Sequence, residues 1–133
     1  MIMETNTAIY NIYFDSDIEI VVMQWNGYAT SSQFRKGTEL MLKTLVENIC
    51  KKVLADIRNM VLIAMDDQRW LEDYFLPKAI NAGFSEIAII KPTSYFNKVA
   101  VETVSYKMDK EKLRIDFFDS EDEATQWILR DKQ

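Results

Sequence analysis

The chain has 133 residues, 48% of them hydrophobic, with 21 acids against 16 bases and no histidine. That length predicts one domain, residues 1–133, able to bury roughly two-thirds of its extended surface without disulfides or metals to hold it. The net charge of −5 disfavours nucleic-acid binding driven by counterion release. The missing histidine removes the commonest general base, metal ligand and pH switch. A single cysteine, Cys50, cannot close an internal disulfide and fits a reducing cytoplasm. Met1 to Asn11 carries neither the basic nor the apolar region of a secretory signal. The longest apolar run, Met60 to Met65, is too short to span a bilayer. A soluble cytoplasmic protein without a membrane span is therefore expected.

In chain order, Ala8–Phe14 and Ile18–Trp25 read as two strands joined by Asp15-Ser16-Asp17, an antiparallel hairpin. Asn26-Gly27 is followed by Thr30-Ser31-Ser32-Gln33, a capping box that starts a helix. Phe34, Met41, Leu45 and Ile49 recur at helical spacing, with Leu42 and Val46 widening the stripe and Gly37 marking a place of close packing. Val53-Leu54-Ala55-Asp56-Ile57 has the apolar, β-branched character of a buried parallel strand. A second helix is expected to be capped by Asp66 or Asp67, kinked by Pro77 and closed by Gly83. Glu86–Lys91 is the next strand, and Pro92-Thr93-Ser94 opens a third helix with a seam of Phe96, Ala100, Val104 and Met108. Leu113, Ile115 and Phe117 alternate with Arg114 and Asp116 in a last strand. Ser120-Glu121-Asp122-Glu123 caps a terminal helix docked by Ala124, Trp127 and Ile128. The fold class is α/β, ordered β-β-α-β-α-β-α-β-α, with an N-terminal hairpin on a mixed, mostly parallel sheet.

This order and several strings resemble the SpoIIAA-like branch of the STAS superfamily. The strings are Trp25-Asn26-Gly27-Tyr28, Leu54-Ala55-Asp56-Ile57-Arg58-Asn59, Asp67-Gln68-Arg69-Trp70, Pro77 through Gly83, Ala88 to Pro92, and Phe118-Asp119-Ser120 with Trp127. The resemblance covers nearly the whole chain and implies a STAS or CRAL-TRIO-like α/β fold. Members of the anti-sigma-antagonist type carry a phosphorylatable serine in an Asp-Ser-Ser-Gly-like turn before the second helix. Here the turn reads Met65-Asp66-Asp67-Gln68, so a carboxylate stands where those proteins have a hydroxyl. Other relatives of this fold bind lipids or nucleotides, and fold alone does not select among ligands.

Several residues are candidates for a site, each with a plainer role beside it. Asp56 and Arg58, two apart on a strand, share a face near its carboxyl end, where open α/β sheets place ligands or partners. They present a charged pair to a ligand, or they pair with one another to anchor the loop after Asn59, or Asp56 accepts backbone N–H bonds there. Asp66 and Asp67 offer a contact surface to a partner that reads acidic groups, or cap a helix, or stand as a permanent imitation of a phosphoserine. The apolar segment with Leu62 and Ile63 either lines the core or makes an adaptable patch, since methionine-rich surfaces accommodate varied partners. Trp70 belongs to an aromatic group with Tyr74, Phe75 and Phe84, and Arg69 stands beside it.

No catalytic triad, glycine-rich phosphate loop or metal-ligand pattern is present in the sequence, so no cofactor, metal or enzymatic activity is expected. The first functional expectation is a non-enzymatic STAS-like interaction or regulatory module. Its partner would be an unknown regulatory protein or, by self-association, a second copy in a homodimer. Charged residues at Leu62 and Ile63 would then break the association and leave the monomer folded. The alternative is a small-ligand carrier, for a lipid or nucleotide, with an apolar cleft between the second and third helices. Tyr95, Phe96 and Phe75 would line that cleft, and Lys91 or Arg69 would meet an acidic head group.

Overall fold

The structure is a computed structural model that describes residues 7–61, 63–93 and 95–132, with the backbone alone at 95–97 and 132. Strand β1 (Tyr10–Asp15) pairs antiparallel with β2 (Ile20–Gly27). The predicted hairpin is present with its strands set later in sequence. Asp15 pairs with Ile20, and the connection closes through the Glu19 amide, which donates to the Asp15 carbonyl at 2.7 Å. Helix α1 (Ser31–Glu47) starts at the expected capping box: Thr30 Oγ1 accepts from the Gln33 amide at 3.2 Å and Gln33 Oε1 from the Thr30 amide at 2.9 Å.

Strand β3 (Lys52–Met60) is followed by one continuous helical stretch made of α2 (Met65–Trp70), a π turn (Leu71–Phe75) and α3 (Leu76–Asn81). The kink expected from Pro77 takes the form of that π turn. A regular helix would press the proline ring against the Asp73 carbonyl, whereas here the Leu76 amide reaches back to the Leu71 carbonyl in an i→i+5 bond. Strands β4 (Glu86–Ile90) and β5 (Arg114–Phe118), with helix α4 (Tyr95–Tyr106) between them and α5 (Glu121–Ile128) after them, complete the chain. The capping Ser120 is as predicted, its Oγ accepting from the Glu123 amide at 3.2 Å. Ser94 lies outside the described residues.

The five strands lie in the order β1-β2-β3-β4-β5, parallel from β2 onward. Period-two alternation divides β3 between two cores. Val53, Ala55 and Ile57 face the side packed by α1, the second helical stretch and α4, while Leu54 joins Ile20, Ala88, Ile90, Ala124 and Ile128 beneath α5. Buried Glu86 ties the C-terminal turn to the sheet. It accepts from Arg130 Nη2 at 3.0 Å and Arg114 Nη1 at 3.3 Å, with Lys52 Nζ 3.6 Å away.

The two long helical stretches end alike but with different residues. Gly83, at φ +113°, closes α3 in a Schellman motif, where the Phe84 amide donates to the Ala79 carbonyl and the Gly83 amide to the Ile80 carbonyl, each at 3.0 Å. At the end of α1 the equivalent left-handed position is held by Ile49, at φ +51° and 90% exposed. A β-branched residue is strained there and gains nothing from burial. Ile49→Gly is therefore expected to stabilise the fold by about 1 kcal/mol, measured as a higher urea midpoint. An unchanged midpoint would contradict this account of the strain.

Candidate functional site

The structure places Asp56 and Arg58 on one face of β3, as their spacing requires, and binds them to each other. Arg58 Nε donates to Asp56 Oδ1 at 3.0 Å and Nη2 to Oδ2 at 2.7 Å, and the Arg58 amide donates to Oδ1 at 3.2 Å. Burial pushes the Asp56 carboxyl up, but the guanidinium and amide bonds and the Arg58 charge outweigh it and hold the group below the usual carboxylate range. The Arg58 backbone carbonyl separately accepts from Thr93 Oγ1 at 2.9 Å, which ties the turn after β4 to β3. Asn59 is exposed beside it.

Asp66 and Asp67 do different things, and neither caps the helix. The N-cap is Ala64, with no side-chain bond. Asp66 is exposed, 3.9 Å from Arg69, which is itself exposed. Asp67 is 2% exposed and turns inward to α1, where it accepts from Ser31 Oγ and Arg35 Nε, each at 3.0 Å. The partners lie 36 and 32 residues away in sequence, a distance over which local capping patterns carry no signal. A second clamp, Lys78 Nζ to both carboxylate oxygens of Glu39 at 2.6 Å, joins α3 to α1.

The apolar segment between Met60 and Met65 is split between core and surface. Met60 and Ile63 are buried, Val61 and Met65 are exposed, and Leu62 lies outside the described residues. A charge at Ile63 would enter the core, so that substitution reads folding rather than association. Trp70 is half-buried. Its ring stacks on Phe75 at 5.3 Å, meets Phe34 edge-on at 6.3 Å, and carries the Arg35 guanidinium 5.4 Å from its centroid.

Behind Phe75 lies a cavity of about 130 Å³ with almost wholly hydrocarbon walls. Its floor is the sheet (Trp25, Ala55, Ile57, Ile89), and the π turn and α4 form opposite sides with Leu71, Phe75, Ala100 and Val104. This is the space between the second and third helices in which the sequence suggests an apolar cleft. Of the residues proposed to line it, Phe75 does so, and the side chains of Tyr95 and Phe96 are outside the described residues. Lys91 and Arg69 are not among its walls: Lys91 pairs with Asp119 at 3.2 Å and Arg69 faces Asp66. Thr38, Met41 and Ser105 were not foreseen as walls. Their signal was the coincidence of small core residues, Thr38, Ala55, Ala100 and Ser105, on elements that face one another.

Neither a protein-family model nor a curated protein matches this chain. Among solved structures it is similar to an uncharacterized protein of the DUF3478 family with a SpoIIAA-like fold, from Shewanella loihica PV-4. The two share 19% identity and a TM-score of 0.61 over 95% of this chain and 98% of the other. The chain thus has a SpoIIAA-like α/β fold. No helix among the described residues is long and apolar enough to cross a membrane.

Proposed function

We propose that this SpoIIAA-like domain is a non-enzymatic binding module that holds a small apolar molecule between its second helical stretch and α4. The cavity carries this reading. Protein interiors pack as densely as organic crystals, and this apolar space of about 130 Å³ is large enough for a guest whose atoms would complete the packing of its walls. A π turn forms one side of the cavity, and such turns recur at functional sites. The carboxylates that would otherwise serve in proton transfer are engaged structurally: Asp56 with Arg58, Asp67 with Arg35, Glu86 with Arg130.

Ala100→Leu tests the reading by filling the cavity from α4. The variant is expected to be more stable by about 1 kcal/mol. A solvent extract of freshly purified wild-type protein, analysed by gas chromatography with mass detection, is expected to hold a small apolar molecule that the variant lacks. Identical extracts from the two proteins would remove the support for a resident guest.

A second reading, a protein-interaction or regulatory module whose partner is a regulatory protein or another copy, is favoured by the exposure of Val61 and Met65 before the second helical stretch and of Tyr74 against half-buried Trp70. Removal of the Trp70 ring separates the two, because a partner surface tolerates that loss in the free protein and a cavity support does not.

A further inference from the structure

Resting on the cavity reading, we infer that the guest is an uncharged molecule of about one aromatic ring, neither a long-chain lipid nor a nucleotide. Size is the first constraint. The cavity's 130 Å³ is close to that of an engineered apolar cavity of about 150 Å³ that stays dry and admits benzene or xenon. Palmitate or a nucleoside phosphate exceeds that space.

Charge is the second constraint. No Asp, Glu, Lys or Arg side chain is among the cavity's described walls, so a buried carboxylate or phosphate would have no ion partner and a steep desolvation cost. Three of the polar side chains on the walls donate to the backbone. Thr38 Oγ1 donates to the Phe34 carbonyl at 2.7 Å, Ser105 Oγ to the Glu102 carbonyl at 2.8 Å, and Gln68 Nε2 to the Ile63 carbonyl at 3.0 Å. The two hydroxyl protons are therefore spent, and neither is left to donate to a guest.

The third constraint is the character of the walls. Trp25, Phe34 and Phe75 supply ring faces and edges, and Met23, Met41 and Met60 supply polarizable thioethers. Rings prefer offset or edge-on contact with other rings, and methionine sulfur is attracted to aromatic edges. A flat ring satisfies both groups at once, which a linear hydrocarbon does not.

The test is a titration of the full chain, labelled at its methionine methyl carbons and unfolded and refolded to strip any resident guest, followed by nuclear magnetic resonance with four probes: xenon, toluene, benzoate and palmitate. Toluene is expected to shift the Met23, Met41 and Met60 methyls saturably, with benzoate at neutral pH at least tenfold weaker and palmitate silent at these methyls. Ala55→Leu, which fills the cavity floor, is expected to abolish the toluene response while the circular dichroism stays native. If that variant does not fold, Ala100→Leu serves in its place. Benzoate or palmitate binding as tightly as toluene overturns the inference and leaves the cavity reading standing, as does a response to xenon without one to toluene. Toluene binding that survives the filling variant also overturns it. Silence towards both xenon and toluene removes the cavity reading itself.

Discussion

Replacing Gly37 with valine is expected to destabilise the fold by about 3 kcal/mol, seen as a lower urea midpoint with an unchanged slope. Gly37 sits inside α1, where glycine ordinarily weakens a helix by about 1 kcal/mol relative to alanine. Here it is required by contact. A Cβ built at this position would lie 2.5 Å from Trp25 Cη2, 3.0 Å from Trp25 Cζ2 and 3.1 Å from Tyr10 Cδ2. Both rings are buried, at 3% and 4% exposure, and they pack on each other with centroids 5.3 Å apart. The indole also lines the cavity, so a displaced ring in the valine variant is expected to weaken guest binding. A valine variant as stable as the parent would mean that α1 stands further from the sheet than described.

Trp70→Ala is expected to cost about 3 kcal/mol, the lower end for removal of a large aromatic from a core, because one side of the ring meets solvent. The ring is a joint in a ladder from Tyr10 through Trp25 and Phe34 to Trp70 and Phe75. Its loss leaves Phe75 without its stacking partner at the cavity wall. It also strips Arg35 of the ring beneath it, although Arg35 keeps its bond to Asp67 at 3.0 Å. Equilibrium denaturation of the free protein decides the matter. A loss below about 1 kcal/mol, the range of ordinary surface substitutions, would assign Trp70 to a partner surface and favour the interaction reading.

Much of the fold was legible because its signals are local. The capping box at Thr30, the N-cap bond of Ser120, the glycine at position 83 and the alternation of β5 each depend on residues within a few positions, and the structure repeats them. The reciprocal Glu123 bond expected of a box at Ser120 is not formed. Gly37 was legible as a place of close packing, though not the identity of Trp25 and Tyr10 as its neighbours. The site was less legible because its determinants are distant in sequence. Asp67 has the look of a helix cap, yet its partners are on α1 and its carboxylate is buried. Pro77 announces a disturbance, but whether the helix bends or widens into a π turn depends on what the turn packs against. The pairing of Asp56 with Arg58 was available from spacing alone, and the structure shows the two bonded to each other. The cavity exists because small residues on β3, α1 and α4 converge at one point, a property of packing that periodicity does not encode.

The most direct test of the account is a crystal of the protein, unfolded and refolded to strip any resident guest, pressurised with xenon. A xenon site is expected between the π turn and α4, in contact with Trp25, Met60, Phe75 and Val104, with little displacement of those side chains. If those side chains instead close over the space and no xenon enters, the cavity is not a binding site and the proposed function is contradicted.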